Sequence, residues 1–183
     1  MSAFTRTIKH LRTQAQPHAL FGAVGLAAYG VQRGTSDVDL LATRTVIDPA
    51  VWNDLRGVGF DLRVGDDSDN LLGCVKIGFT SATHPVDVVV PRGRWPSRAL
   101  DRVNGSVVID GLDVPLLRLE DLVLSKVHSG SRQDVDDVLA LCDLHRNSRD
   151  AIVAHVDAEQ IYLIGPARRD WPRIRALILA SRR

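Results

Sequence analysis

Two carboxylates two residues apart, Asp37 and Asp39, stand inside the run Ser36-Asp37-Val38-Asp39-Leu40-Leu41. On a β-strand, side chains two apart share a face, so both acids project together while Val38 and Leu40 turn inward. Like charges held that close repel, and a divalent cation is the natural reason to keep both ionised. With no His or Cys cluster nearby, oxygen donors of this kind favour Mg²⁺, or Mn²⁺ in its place. Upstream, Gly25 precedes a short helical run from Leu26 to Tyr29, and Gly30 and Gly34 lead the chain into Thr35, Ser36 and Asp37. A glycine turn feeding a helix start offers free backbone N–H groups to phosphate, and the hydroxyls of Thr35 and Ser36 add further donors. Metal-binding carboxylates beside a phosphate cradle are the equipment of nucleotidyl or phosphoryl transfer. A further acid, Asp87, lies in His84-Pro85-Val86-Asp87-Val88-Val89-Val90-Pro91, where burial unpaired is costly, so it must face a cation, a metal or solvent.

The run from Gly25 to Leu41, G-L-A-A-Y-G-V-Q-R-G-T-S-D-V-D-L-L, resembles the signature of the DNA polymerase beta-like nucleotidyltransferase superfamily: a Gly followed by Gly or Ser, about ten residues, then Asp-x-Asp. The resemblance implies a mixed α/β (α+β) fold with a small β-sheet flanked by helices. It also implies a two-metal site on Asp37, Asp39 and a third carboxylate, for which Asp87 has the right place, with Asp61 as the rival. In this reading an NTP is the donor, and Gly25, Leu26, Arg33, Thr35, Ser36 and Lys126 form its binding set. The sequence departs from the pattern at Leu26, where the family has a second Gly or Ser on the triphosphate. Read in that register, Leu26 bears directly on activity.

A second run, LEDLVLSKVHSGSRQDVDDVLAL, looks like the helical element of bacterial toxin–antitoxin nucleotidyltransferases of the abortive-infection type IV kind. By position it carries over Asp121, Lys126, Arg132, Asp134 and Asp137. This likeness implies an RNA (tRNA) or protein acceptor and a cognate antitoxin as partner. Two alternatives stand beside it. One is a small-molecule, aminoglycoside-type nucleotidyltransferase using Asp66, Asp67 and Asp69 toward a cationic acceptor. The other is a catalytically inactive nucleotide-binding or interaction module, which Leu26 favours.

The elements that must position these residues follow from periodicity. Phe4, Ile8 and Leu11 predict a helix over 2–16, residues 19–24 a first strand, and residues 36–43 the carboxylate strand. Asp48-Pro49 reads as the start of a helix carrying Val51, Trp52, Leu55 and Val58. Strands are expected over 60–64, 72–80 and 84–91, and a hairpin turns at Asp110-Gly111. Residues 96–104 read as irregular. Helices are expected from 118 to Ser129, over 132–145 and 150–160, with an extended piece at 161–164 and a last helix capped by Asp170-Trp171-Pro172. The division is a catalytic sheet domain over 1–117 and a helical segment over 118–183. The chain has 183 residues, a net charge of +1, 45% hydrophobic and 25% charged residues, and so the composition of a globular protein with no membrane span, expected in the cytoplasm. Cys74 and Cys142 read as buried free thiols. The arginines 168, 169, 173, 175, 182 and 183 form a basic tail that suits either solvent or phosphate.

Overall fold

Ser2 accepts a hydrogen bond from the Thr5 amide and caps helix α1 (Ala3–Thr13), which buries Phe4, Ile8 and Leu11 on one side. The computed structural model describes residues 1–55, 59–65, 70–78 and 84–181. Its strands are β1 (His18–Leu20), β2 (Val38–Ala42), β3 (Phe60–Val64), β4 (Leu71–Ile77), β5 (Val86–Pro91), β6 (Gly105–Ile109) and β7 (Leu112–Leu116). They form one sheet in the order β3-β4-β5-β2-β1-β7-β6. The pairs β2/β5 and β1/β7 are parallel and the rest antiparallel, so the sheet is mixed.

Each strand alternates between two faces. Leu40, Ala42, Val75, Ile77, Val86, Val88 and Val90 pack with α1, Val46 and Trp52 on the back. On the front, Ala19 and Leu41 join a core built with α2 (Gly22–Ala28), α3 (Trp95–Asp101), α4 (Leu119–Ser129), α5 (Arg132–Leu144), α6 (Arg149–Glu159) and α7 (Gly165–Ala180). The front-facing residues of β3, β4 and β5 stay outside that core. Arg63, Cys74, Lys76, Asp87 and Val89 line a cavity instead.

Buried ion pairs tie the front helices together. Asp121, with no exposed surface, accepts from Arg102 Nη2 at 2.6 Å and His155 Nε2 at 2.9 Å, and Arg102 also reaches Glu159 at 3.2 Å. Burial pushes the Asp121 carboxyl up, but the bonds from His155 and Arg102 outweigh it and hold the group below the ordinary carboxylate range. Asp121 therefore braces α3, α4 and α6.

Several sequence expectations shift. The first strand ends at Leu20, and α2 begins at Gly22, inside the stretch read as strand. This moves the glycine that opens the helix from Gly25 to Gly22. Gly25 lies within the helix against Leu122, and Leu26 is fully buried in the front core, so neither can touch a triphosphate. Asp48-Pro49 starts only a 3-10 turn, Pro49–Trp52, and Val58 lies outside the described residues. The stretch read as irregular over 96–104 holds most of α3, which starts at Trp95 and was hidden by its length and by Pro96, well tolerated in a first turn. Of the extended piece expected at 161–164, residues 161 and 162 belong to a 3-10 turn, Gln160–Tyr162. The last helix begins at Gly165-Pro166, and Pro172 sits inside it. Of the 72–80 strand, 79 and 80 lie outside the described residues, as do 182 and 183 of the basic tail. The hairpin is as read, with Asp110 and Gly111 at φ 52 and 73, the left-handed pair of a tight two-residue turn. Both cysteines are buried and free.

Leu26→Ser restores the residue type that the signature shows after its glycine, yet in this fold it cuts a hole in the core. It is expected to cost about 3–5 kcal/mol in urea unfolding and to bring no gain in nucleotide binding. Stability equal to the parent protein would contradict this placement.

Candidate active site

Register brings the acids together. In the parallel pair β2/β5, Asp39 lies opposite Asp87, and in the antiparallel pair β4/β5, Lys76 lies opposite Asp87. Asp61 of β3 lies opposite Lys76 in turn. Directly opposed residues share a face, so Asp61, Lys76, Asp87 and Asp39 form one row across the front. Asp37 stands just ahead of β2, close enough for its charge to act on Asp39. Its carboxylate accepts from Thr35 Oγ1 at 2.7 Å, so Thr35 orients Asp37 from the loop. Asp61 pairs with Arg63 at 3.5 Å near the sheet edge, two places along the row from Asp87, which sets it apart from the other acids.

Lys76 Nζ stands 2.5 Å from Asp87 Oδ2, with the Asp87 side chain 13% exposed. The hydrogen bond to Asp87 pushes the Lys76 pKa up, so Lys76 stays cationic. Among the described residues Asp39 has no such partner. Burial first, then the charges of Asp37 and Asp87, raise its pKa to about 6, against the pull of Lys126 and Lys76.

Gly22 holds the space above Asp39. It takes φ +59, and a Cβ there would stand 1.9 Å from Asp39 Oδ2. Only glycine leaves that approach open. A cavity of about 230 Å³ is lined by Phe21, Gly22, Asp39, Trp95, Lys126 and His128 among others. A second, of about 510 Å³, continues from Asp39 over Asp87, Lys76, Cys74 and Arg63. Asp39, Leu71 and Val89 line both.

Lys126 reaches the first cavity from α4. Its Nζ lies 3.0 Å from Asp134 and 2.8 Å from Asp137, both on α5, and Asp137 also accepts from Arg33 Nη1 at 2.8 Å. The Ser131 capping box with Asp134 fixes the start of α5 and hence these acids. Arg33 therefore ties the loop before Asp37 to α5, and it lines neither of the two cavities that meet at Asp39. Ser36 and Arg132 are exposed. Asp66, Asp67 and Asp69 lie outside the described residues. His128 Nε2 bonds the Asn70 carbonyl at 2.9 Å, and burial lowers its pKa. His128 Nδ1 and Trp95 Nε1 are buried with no hydrogen-bond partner among the described residues, a spare acceptor and a spare donor on residues of the first cavity's wall.

Gly22, Lys76, Trp95 and His128 line the candidate site and were not assigned to it from the sequence. The signal for Lys76 was there: a charge in Cys-Val-Lys-Ile, two places from Cys74, in a chain with three lysines. That for Gly22 was masked by the over-long first strand.

Among the described residues, no group of three His, Cys, Asp or Glu side chains is arranged to hold a metal by itself. Mg²⁺ needs no such closed set, since one or two carboxylates with substrate phosphates and waters complete its shell. Asp37 and Asp39 fit that requirement, and the raised pKa of Asp39 marks the charge that a cation would relieve.

This architecture is a nucleotidyltransferase fold. The chain is similar to the solution structure of the antibiotic-resistance factor ANT(2'')-Ia, with a TM-score of 0.56 and 15% identity over 86% of this chain and 90% of that one. It is likewise similar to ANT(2'')-Ia in complex with adenylyl-2''-tobramycin, with a TM-score of 0.54 and 14% identity over 85% and 93%. Neither a protein-family model nor a curated protein matches the sequence. No helix among the described residues is long and apolar enough to cross a membrane.

The Asp39 carboxyl gives a pH test. Its folded pKa of about 6 exceeds the ordinary 3.8, so the unfolded chain ionises first and folding is penalised once pH rises through that window. Asp39→Asn removes the penalty. In metal-free buffer at pH 7.5 it is expected to raise stability by on the order of 1–2 kcal/mol, a few degrees in Tm, with the gain vanishing near pH 4. A variant that melts below the parent at pH 7.5 would contradict the charge crowding.

Proposed function

We propose that this chain is a metal-dependent nucleotidyltransferase that moves a nucleoside monophosphate from an NTP to an acceptor hydroxyl. The observation that carries the reading is the register of Asp39 opposite Asp87, with Asp37 two places ahead and Gly22 clearing the space above. Asp37 and Asp39 would hold Mg²⁺, which when bound neutralises triphosphate charge and activates the attacking oxygen. The triphosphate lies over Gly22 in the smaller cavity, where Lys126 faces its negative charge. The acceptor occupies the larger cavity. Its hydroxyl oxygen forms a bond to the α-phosphorus, the bond from that phosphorus to the bridging oxygen breaks, and pyrophosphate leaves. Asp87 keeps one oxygen on Lys76 and offers the other to the hydroxyl proton. Thr35 acts by orienting Asp37, and Arg33 by holding Asp137 beside Lys126.

The larger cavity sets Arg63 and Lys76 beside Asp39 and Asp87, so its lining charges balance, and an RNA end, the acceptor type of the toxin–antitoxin enzymes, rests on the sequence likeness. A small cationic acceptor is the second reading, favoured by the likeness to ANT(2'')-Ia, whose complex holds adenylyl-2''-tobramycin. The inactive-module reading loses its ground, because Leu26 belongs to the core.

Each α-³²P NTP, with Mg²⁺, is offered total RNA, lysate protein or aminoglycosides. Label is expected in RNA, and loss of at least about 100-fold is expected in Asp37→Ala/Asp39→Ala and in Gly22→Ala. Label in aminoglycosides would select the second reading. No transfer to any acceptor, with nucleotide binding unchanged in the double variant, would overturn the enzyme assignment.

A further inference from the structure

Resting on the nucleotidyl-transfer reading, we propose that Lys76 takes the place of a second metal ion at Asp87, so that the site works with one divalent cation held by Asp37 and Asp39. Two-ion chemistry needs carboxylate oxygens that both cations can share. Here Asp87 has given one oxygen to Lys76 at 2.5 Å, and the two residues are direct partners across β4 and β5, so the pair is built into the sheet. Lys76 also faces Asp61 across β3 and β4, but Asp61 has its own cation in Arg63.

Charge balance leads to the same count. Asp37, Asp39 and Asp87 carry three negative charges. Lys76 offsets one, and a single divalent ion offsets two. Lys126 does not alter this sum before substrate arrives, since Asp134 and Asp137 already hold it, with Arg33 balancing the second acid of that group. A second divalent ion would have to break the Lys76–Asp87 pair and sit beside the displaced ammonium. Like-charge repulsion at that range weakens its binding.

Mn²⁺ binding to the full chain, counted by electron paramagnetic resonance and calorimetry without nucleotide, tests the inference. One ion per chain is expected, lost in Asp39→Asn. Lys76→Met, with Lys76→Gln as a second variant should the first fold poorly, is expected to bind two. The second ion should be at least about tenfold tighter than any further ion on the parent, and lost again when Asp87→Asn is added. Two ions on the parent, or one ion on both Lys76 variants, would overturn the role of Lys76 while leaving nucleotidyl transfer standing. Mn²⁺ binding that Asp39→Asn leaves unchanged would instead overturn the reading on which the inference rests.

Discussion

Repulsion among acids on one sheet face is the constraint from which the rest of the site follows. Parallel pairing of β2 and β5 sets Asp39 against Asp87, and Asp37, just ahead of β2, adds its charge to theirs. Such a cluster lowers stability unless something answers its charge. The fold supplies part of the answer in Lys76, which the antiparallel β4 brings to Asp87, and leaves Asp39 with a pKa of about 6. A site that keeps an unanswered carboxylate in a cavity wall is one prepared for a cationic ligand.

The helical layer serves this face by where it stops. The front core covers Ala19 and Leu41, whereas the front residues of β3, β4 and β5 remain open as the floor of the larger cavity. The buried Asp121 network with Arg102, His155 and Glu159 locks α3, α4 and α6. That lock holds α4 in the position from which Lys126 reaches the smaller cavity. The Lys126–Asp137–Arg33 chain then couples the same helix to the loop that delivers Thr35 and Asp37. Stability and chemistry thus draw on separate sets of ion pairs.

Much of this was legible in the sequence wherever a local rule decides the outcome. Alternation in Val-Asp-Leu-Leu and Val-Asp-Val-Val-Val marked both acid strands, and helical periodicity from residue 132 marked α5. What escaped notice depended on partners far along the chain. Lys76 matters only because β4 pairs with β5 in one register, and no local pattern announces a register. Gly22 and Gly25 are three apart in one short helix, so pattern alone could assign the phosphate-facing role to either. The contact between Gly22 and Asp39 is what separates them, and it took Leu26 out of the site. The Asp170-Trp171-Pro172 cap failed for a different reason: Gly165-Pro166 had already started the helix, and packing of Trp171 and Ile174 tolerates the interior proline.

The central claim is that Asp37, Asp39 and Gly22 together form the seat of an ion-bound triphosphate. The most direct measurement is a crystal structure of the protein with Mn²⁺ and α,β-methylene ATP, using anomalous scattering to find the ion. An anomalous peak within about 2.5 Å of oxygens from both Asp37 and Asp39, with the triphosphate passing over Gly22, is the result the account predicts. Nucleotide seated away from Gly22, with the anomalous signal remote from both carboxylates, would contradict it.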